Sequence, residues 1–399
     1  MAGSDLRKIA AHPDVQLVAI ADVDLARTAK VKLEFPDVRI YQDWRELLET
    51  EGDKIDSCNV STPDHMHCVI AMHALEKGKH VYCQKPLTHD IAETRRLQEK
   101  AASTKLVTQM GTQLASYTSD LSAVAWIQAG AIGKVRKVYS FSNKTWGDPS
   151  PLPDRADPVP PTLDWDKWNG VVDPAVNYLQ GAYHPGNWRK RQAFGTGTLG
   201  DMGCHMFNGW FRSLALTAPL SIRSEGPVPL YGNWAIDGEV HYVFPGTQYT
   251  AEKTIEVVWL DGAKRPPAEI VALLGETFPT QGSVYVGEEG ILLHPHGGWV
   301  RIFRDGKLVE QAVHGFKDVP GLAEHHWFEF IDAVLGRTNG KAPKSTFDFA
   351  APLTEAVLLG NIAAFFPGET LAWNAPGMTF PDKPEANKYL QRSYRQGWA

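Results

Sequence analysis

The first 110 residues alternate between short apolar runs and longer amphipathic ones, and this alternation restricts the fold more than any other feature of the sequence. The predicted strands are the short runs at 16–22, 38–41, 55–61, 80–84 and 105–110. The predicted helices are the amphipathic runs at 6–12, 25–34, 44–50, 65–76 and 91–103. Because strands that alternate with helices form a parallel, doubly wound sheet, we expect an α/β Rossmann domain here.

The amino-terminal unit of this domain is expected to be incomplete. Asp22 ends the first predicted strand, where a carboxylate accepts hydrogen bonds from ribose hydroxyls and repels a 2′-phosphate, so NAD is favoured over NADP. Gly3 can serve only as the last glycine of a G-x-G-x-x-G fingerprint, since no strand and no earlier glycine pair precede it. We therefore expect an amino-terminally truncated form, for which NAD binding is left open.

The second part of the chain has a different pattern. Beyond residue 216 it consists mainly of short strands separated by Gly and Pro, predicted at 239–244, 254–259, 283–287 and 300–304. This pattern predicts an α+β domain with a large, open and mostly antiparallel sheet. We place the Rossmann domain at 1–115 and the substrate-binding and oligomerisation domain at 116–399. An open sheet face favours a homodimer or homotetramer.

Composition excludes several classes of protein. A net charge of −6, with no dense cluster of Lys and Arg, argues against a nucleic-acid surface. No run approaches the roughly 18 apolar residues of a membrane span, so no membrane partner is expected. The four cysteines lack metal-ligand spacing, and we expect free thiols and no metal. A cytoplasmic location is expected, although an export signal ahead of Met1 would not be visible.

Two segments carry the candidate chemistry. Lys85 follows an apolar strand, and Pro86 ends that strand and presents the lysine at the carboxyl edge of the sheet. Asp201 and His205 are four residues apart, on one face of a predicted helix. Oxidation of a carbinol needs a base and a cationic donor, so His205 is predicted to accept the proton, Lys85 to polarise the oxygen and Asp201 to orient His205. Taken alone, the Asp–His pair is more often a surface or capping pair.

These segments resemble a known family. Residues 62–67, 78–86, 200–205 and 282–290 are similar to the Gfo/Idh/MocA oxidoreductases. The resemblance implies a Rossmann domain with an open-sheet domain, NAD(P) in the crevice, and a sugar, inositol or related polyol as substrate. It places the family's catalytic lysine on Lys85 and its acid–histidine pair on Asp201 and His205. Gln84 stands where the family has glutamate, which removes a charge beside Lys85.

Further candidates lie in turns and loops. The candidates for cofactor binding are Gly3, Asp22, Ser61, Thr62, Pro63, His67, Gln84, Lys85 and Gln113. The candidates for substrate binding are Lys85, Tyr183, His184, Trp188, Arg189, Asp201 and His205. Aromatic faces pack on sugar C–H groups while polar side chains bond to hydroxyls, which motivates the second set.

The leading functional hypothesis is an NAD-dependent oxidoreductase acting on a hydroxyl-bearing carbon of a sugar, inositol, polyol or glycoside. One alternative uses the same site for glycoside cleavage through transient sugar oxidation, with NAD regenerated in each cycle. Another is a non-catalytic sugar-binding protein with a degenerate cofactor site. Net accumulation of NADH separates the first two, and ligand binding unaffected by cofactor would favour the third.

Overall fold

The structure is a computed structural model and describes residues 2–274, 278–311 and 322–398. The α-helices in these ranges are α1 (Ala2–Ala10), α2 (Ala29–Glu34), α3 (Trp44–Glu51), α4 (His67–Glu76), α5 (Ile91–Ala102), α6 (Thr118–Gln128), α7 (Trp165–Asn169), α8 (Gly197–Ser213), α9 (Ala268–Ala272), α10 (Leu322–Val334) and α11 (Phe347–Ala363). The strands are β1 (Ala19–Ala21), β2 (Arg39–Tyr41), β3 (Ser57–Val60), β4 (His80–Cys83), β5 (Thr108–Met110), β6 (Val135–Ser142), β7 (Ser221–Ser224), β8 (Glu239–Pro245), β9 (Thr254–Asp261), β10 (Gln281–Gly287), β11 (Ile291–Pro295), β12 (Arg301–Arg304), β13 (Lys307–Gln311) and β14 (Thr370–Ala372).

The first five strands are all parallel, which confirms the Rossmann-type α/β prediction. β1 pairs with β2, and β4 lies between β3 and β5 in a separate sheet. β1 is shorter than the predicted strand at 16–22, and among the described strands it has a hydrogen-bonded partner along one side only. Because parallel strands present their carboxyl ends at one edge, the turns after β3 and β4 open onto a common crevice.

A third sheet, of nine strands, confirms the predicted open, mostly antiparallel sheet. Its order is β13-β12-β11-β10-β6-β9-β8-β7-β14, and among these pairs only β6 and β9 are parallel. Side chains of β8 alternate between buried and half-buried, so one face is in the core and the other is accessible. α8 and α11 cover the buried face, where Phe207 and Trp210 pack on Tyr242 and Phe244.

Helices from the carboxyl-terminal half also pack on the Rossmann part. α10 contacts α1, and its Trp327, Phe330 and Ile331 form a buried cluster with Tyr82 of β4. α11 packs against α5. The division after residue 115 therefore stays a prediction, since contacts from both sides of it build these layers.

Two simpler expectations concern thiols and membranes. All four cysteines are free, and three of them are buried, as small apolar residues are. Of the helices in the described ranges, none has the length and apolarity needed to cross a membrane.

Candidate active site

Lys85 lies at the crevice, two residues beyond the end of β4. The backbone N–H of Gln84 still bonds to Val60 O of β3, at 2.8 Å, so the sheet holds the chain up to this point. The lysine is 7% exposed, and its ammonium donates to Asp201 Oδ1 at 2.8 Å and to Asp201 O at 2.5 Å. A strand end and the first turns of α8 thus meet in one buried ion pair.

Asp201 has further donors. Arg189 Nε donates to Oδ1 at 3.0 Å, and Trp146 Nε1 donates to Oδ2 at 2.8 Å. Burial acts to raise the pKa of this carboxyl, but the charges of Lys85 and Arg189 outweigh burial and hold the pKa well below its usual range. Asp201 is therefore ionised at neutral pH and fixes the ammonium of Lys85.

His205 lies one turn further along α8, and its Nδ1 is buried without a hydrogen-bond partner among the described residues. Burial lowers the pKa of His205 well below its usual value, and the nearby Lys85 and His296 lower it further. The imidazole is therefore neutral at pH 7. A neutral ring with an unused nitrogen is able to take up a proton.

The predicted orientation of His205 by Asp201 needs correction. Among the described residues, the Asp201 carboxylate accepts hydrogen bonds from Lys85, Arg189 and Trp146, and none from His205. A carboxylate binds cationic donors more strongly than a neutral imidazole, which explains the difference. Spacing along α8 placed the acid and the histidine on one face, but the partners come from other elements.

The start of α8 is tied to the turn after β3. Asp64 Oδ2 accepts from the Thr196 backbone N–H at 3.1 Å and from its hydroxyl at 2.6 Å. Gly200 is required for this arrangement, because a Cβ there would lie 1.8 Å from Thr196 Oγ1. The glycine lets the first turn close over the threonine, and this fixes where Asp201 enters the crevice.

The turn after β3 offers one free polar group to a ligand. The hydroxyl of Thr62 is buried and has no partner among the residues that the structure describes. Pro63 follows it and begins a short turn. The ring nitrogens of His67 lie against the carbonyl oxygens of Pro86, at 2.8 Å, and Thr62, at 3.0 Å. His67 therefore connects the two turns. The Thr62 hydroxyl, in contrast, is left without a hydrogen bond, as a group that binds a ligand would be.

Ser61 and Gln84 both face a buried carboxylate that the sequence interpretation missed. Asp5 of α1 is 0% exposed and accepts from Ser61 Oγ at 2.8 Å, Gln84 Nε2 at 2.7 Å and Trp327 Nε1 at 3.1 Å. Burial raises the pKa of Asp5, while these three hydrogen bonds lower it. The only signal in the sequence was one acid within an amphipathic helix, which is ordinarily a surface residue.

Asp22, predicted to bind the adenosine ribose, follows the end of β1 directly. Asp22 Oδ1 accepts from Asp24 N at 2.9 Å, and burial raises the pKa of Asp22. His184 Nε2 lies 2.9 Å from Asp24 Oδ2 and 3.1 Å from Arg27 Nε. His184 was predicted as a substrate residue, and the structure places it beside this strand end, in contact with Asp24 and Arg27.

The remaining candidates are placed as follows. Gly3 lies exposed in the first turn of α1, and Gln113 is buried in the turn before α6. Tyr183 is buried among aromatic rings, with its centroid 5.3 Å from that of Phe194, so its ring is used in packing. Trp188 is also buried, and the Arg189 guanidinium lies 4.2 Å from its ring centroid.

Trp146 is a second residue that sequence reasoning missed. Besides its bond to Asp201, its backbone N–H donates to Thr198 Oγ1 at 2.8 Å, and the Arg189 guanidinium lies 5.4 Å from its ring centroid. The sequence marked the segment 149–168 only as a Pro- and Trp-rich loop. A tryptophan just before such a loop carries no signal for a side-chain partner 55 residues away.

The residues of the crevice fit a nicotinamide dinucleotide. Asp22 presents a carboxylate after β1, the Thr62 hydroxyl has no partner among the described residues, and Lys85, Asp201 and His205 form a lysine–aspartate–histidine set. A parallel sheet with such a crevice at its carboxyl edge defines the class of Rossmann-fold oxidoreductases.

The comparison with protein families agrees with this class. Residues 1–112 match the oxidoreductase family with an NAD-binding Rossmann fold, Gfo/Idh/MocA. This part of the chain is similar to that family, and the predicted resemblance is confirmed for the motifs at 62–67 and 78–86, which lie within the matched residues.

Curated relatives are similar over part of the chain. A levoglucosan dehydrogenase of Pseudarthrobacter phenanthrenivorans is 24% identical over 198 residues, 50% of this chain and 42% of that protein. A scyllo-inositol 2-dehydrogenase (NAD(+)) of Bacillus subtilis is 30% identical over 138 residues, 35% of this chain and 40% of that protein. The chain thus spans about two fifths of the length of these relatives in the alignments.

Solved structures share the fold over nearly the whole chain. An inositol dehydrogenase homologue from Azotobacter vinelandii, solved with NADH and myo-inositol, has a TM-score of 0.65 at 17% identity and covers 94% of each chain. An aldose-aldose oxidoreductase from Caulobacter crescentus, solved with glycerol, has a TM-score of 0.63 at 16% identity, covering 92% of this chain and 94% of that one. At this identity the likeness establishes the fold alone.

Proposed function

We propose that this chain is an NAD-dependent oxidoreductase that acts on a hydroxyl-bearing carbon of a sugar, inositol or related polyol. The observation that carries the proposal is the meeting of Lys85, from the edge of the parallel sheet, with Asp201 and His205 of α8. Two relatives are a levoglucosan dehydrogenase and a scyllo-inositol 2-dehydrogenase, and this similarity supports a polyhydroxylated substrate.

NAD would be held by Asp22 at its adenosine ribose and by Thr62 along the crevice, and when bound it supplies the acceptor for the hydride. His205 takes the proton of the substrate hydroxyl, because its ring is neutral and Nδ1 has no other described partner. The Lys85 ammonium donates to the same oxygen and stabilises its developing negative charge. Asp201 and Arg189 hold that ammonium in place.

The burial of these groups supports their proposed roles. The Lys85 ammonium is buried and lies 2.8 Å from Asp201 Oδ1, and a paired charge in such a site acts more strongly than one in water. Arg189 lies against the Trp188 ring, which shields the ion pair from solvent.

The test has two readouts. Titration with NAD and NADH, followed by tryptophan fluorescence, measures cofactor binding. NADH formation with myo-inositol, scyllo-inositol, levoglucosan or D-glucose measures turnover. We expect saturable NAD binding and net NADH accumulation with at least one of these substrates.

His205→Asn supplies the matched variant, with His241→Asn on the accessible sheet face as its control. The His205 variant should lose most turnover and keep its affinity for NAD, because the residue acts at the reacting carbon. Cofactor binding without NADH from any of the polyols would contradict the proposal. Product formed without net NADH would instead favour glycoside cleavage.

A further inference from the structure

The nine-stranded sheet supplies a second wall to the site around His205. A narrow cleft beside this histidine is lined by Leu114, Asp120, His205, Met206, Ser283, His294, Pro295 and His296. None of the residues contributed by β10, β11 and the turn after β11 was a candidate from sequence. The cleft therefore extends the site toward a surface that only the fold brings there.

Among these polar residues, His296 has its ring beside that of the proposed proton acceptor. Its ring centroid is 5.3 Å from that of His205, with the planes at 57°. His296 Nδ1, like His205 Nδ1, is buried without a hydrogen-bond partner among the described residues. Two unmet imidazole nitrogens on one cleft are costly in an empty site, and they indicate a ligand with polar groups at both positions.

The strand end that carries His296 is held rigidly. The His296 backbone N–H donates to Gln281 O at 3.0 Å. His294 Nε2 lies 2.9 Å from Asp120 Oδ1, and Asn208 Nδ2 donates to Asp120 Oδ2 at 2.5 Å. A Cβ at residue 209 would lie 2.9 Å from His294 Nδ1, so Gly209 is needed for this approach. A preorganised ring is what a binding residue requires.

The chemistry of the cleft favours a hydroxyl group over an anion or a metal. Burial lowers the pKa of His296 to about 4, so its ring is neutral at pH 7 and carries one donor and one acceptor. Lys85 and Lys144 lower this pKa as well, whereas Asp120 raises it. Within the described ranges no group of three or more His, Cys, Asp or Glu side chains is placed to hold a metal ion. A hydroxyl, which both donates and accepts, matches two neutral imidazoles.

We propose that His296 is a substrate-binding residue, whose ring bonds to a hydroxyl of the polyol or sugar next to the one that faces His205. The Asp120–His294 pair positions the strand end that carries it. This inference rests on the proposed function for the class of substrate, and it adds the residue that distinguishes one hydroxyl pattern from another.

The experiment measures binding directly, so that it does not depend on turnover. Calorimetric titration of the full chain in excess NADH uses myo-inositol, levoglucosan and the monodeoxy-inositols as probes. We expect His296→Phe to weaken polyol binding about 10-fold or more, because one hydrogen bond and its buried partner are lost. His296→Asn should retain binding within about threefold, since it keeps a donor and an acceptor.

A single hydroxyl should account for the effect. The monodeoxy-inositol that lacks the hydroxyl bound by His296 should bind the parent about 10-fold more weakly than myo-inositol does. The same compound should bind the parent and His296→Phe equally, because in a double-mutant cycle the second change has no effect once the shared bond is lost. His241→Phe on the accessible face is the control, and melting temperatures show whether each variant is folded.

Equal binding of myo-inositol by the parent and by His296→Phe overturns the inference, as does a parent that binds none of the probes. If the parent binds the probes, His296→Phe does not, and the parent forms no NADH, the proposed dehydrogenase activity is wrong but the role of His296 stands. The two failures are therefore distinguishable.

Discussion

Two buried carboxylates lie on either side of the Gln84–Lys85 dipeptide and differ in nearly every electrostatic respect. Asp5 accepts hydrogen bonds from the neutral groups of Ser61, Gln84 and Trp327, and burial raises its pKa. Asp201 is also buried, but the charge of Lys85 holds its pKa below the usual range. Burial alone therefore does not decide the direction of the pKa shift, and the charge of the partner does.

The same difference determines how pH acts on stability. The pKa of Asp201 is lowered in the folded state, so its pairing stabilises the protein above the unfolded pKa, and this is lost as pH falls through the folded pKa. The pKa of Asp5 is raised, so its contribution becomes less favourable as pH rises from the unfolded to the folded value. The contribution of Asp201 to stability is therefore greater at neutral pH than in acid, and that of Asp5 is not.

Gln84 explains how adjacent residues serve such different partners. Its amide N–H donates to Asp5 at 2.7 Å, while Lys85 turns to Asp201 on the other side, as successive side chains of an extended segment do. Gly111 leaves room for the amide, because a Cβ there would lie 2.6 Å from Gln84 Nε2. Glutamate at residue 84 would place a second carboxylate against Asp5, so the amide is the side chain that this environment requires.

The largest effect is expected from removing the cation. Lys85→Met should lower kcat about 10²–10³-fold, the usual cost of losing one donor to a developing oxyanion. NAD affinity, measured by tryptophan fluorescence, should change little. Lys77→Met on the surface is the control. A Lys85→Met variant with unchanged kcat would show that the Lys85–Asp201 ion pair serves structure alone.

A smaller effect, on stability, is expected from making the two sides alike. Gln84→Glu puts two carboxylates in contact, and we expect the free energy of unfolding to fall by about 2–4 kcal/mol near pH 8, measured by urea denaturation. The loss should shrink near pH 5, because a shared proton with a raised folded pKa removes the repulsion as pH falls.

Two variants check this assignment. The double variant Asp5→Asn/Gln84→Glu should regain most of the lost stability, because the donor and the acceptor merely exchange places. Gln391→Glu, an exposed substitution, should be neutral at either pH. If Gln84→Glu is as stable as the parent near pH 8, Asp5 does not face residue 84 as a carboxylate.

The smallest effect is expected from trimming one donor to Asp201. Trp146→Phe removes the Nε1–H bond to Oδ2 and keeps a ring beside Arg189. The cost should be about 1–2 kcal/mol in stability and a few-fold in kcat, since Lys85 and Arg189 remain. The exposed Trp299→Phe is the control for melting temperature and kinetics. A loss as large as that of Lys85→Met would mean that Trp146 contacts the substrate itself.

Much of this architecture follows from local pattern. The strand ending before Lys85, the helix carrying Asp201 and His205, and the parallel and antiparallel sheets all agree with periodicity and breaker residues. Element ends were less accurate: β1 spans 19–21 within a predicted strand at 16–22. The length of β1 is limited because it pairs with β2 along one side. The sequence of one segment does not reveal which strands will be its neighbours.

The site was only partly predictable for the same reason. Spacing of four residues puts Asp201 and His205 on one helix face, but it does not name the partner across the crevice. His184 lies beside Asp24, and Tyr183 is buried among aromatic rings, because the loop that carries them folds back over β1 and its own tryptophans. Trp146 and His296 reach the site from elements that are distant along the chain.

By itself the sequence determined the alternation of elements, the lysine at a strand end and the face shared by Asp201 and His205, because these depend on backbone periodicity over a few residues. Only the tertiary structure decided in which direction the pKa of each carboxyl is shifted and which residues line the cleft. Those properties depend on burial and on donors brought from other elements. Asp5 and Asp201 demonstrate this, because one is bonded to Gln84 and the other to the adjacent Lys85.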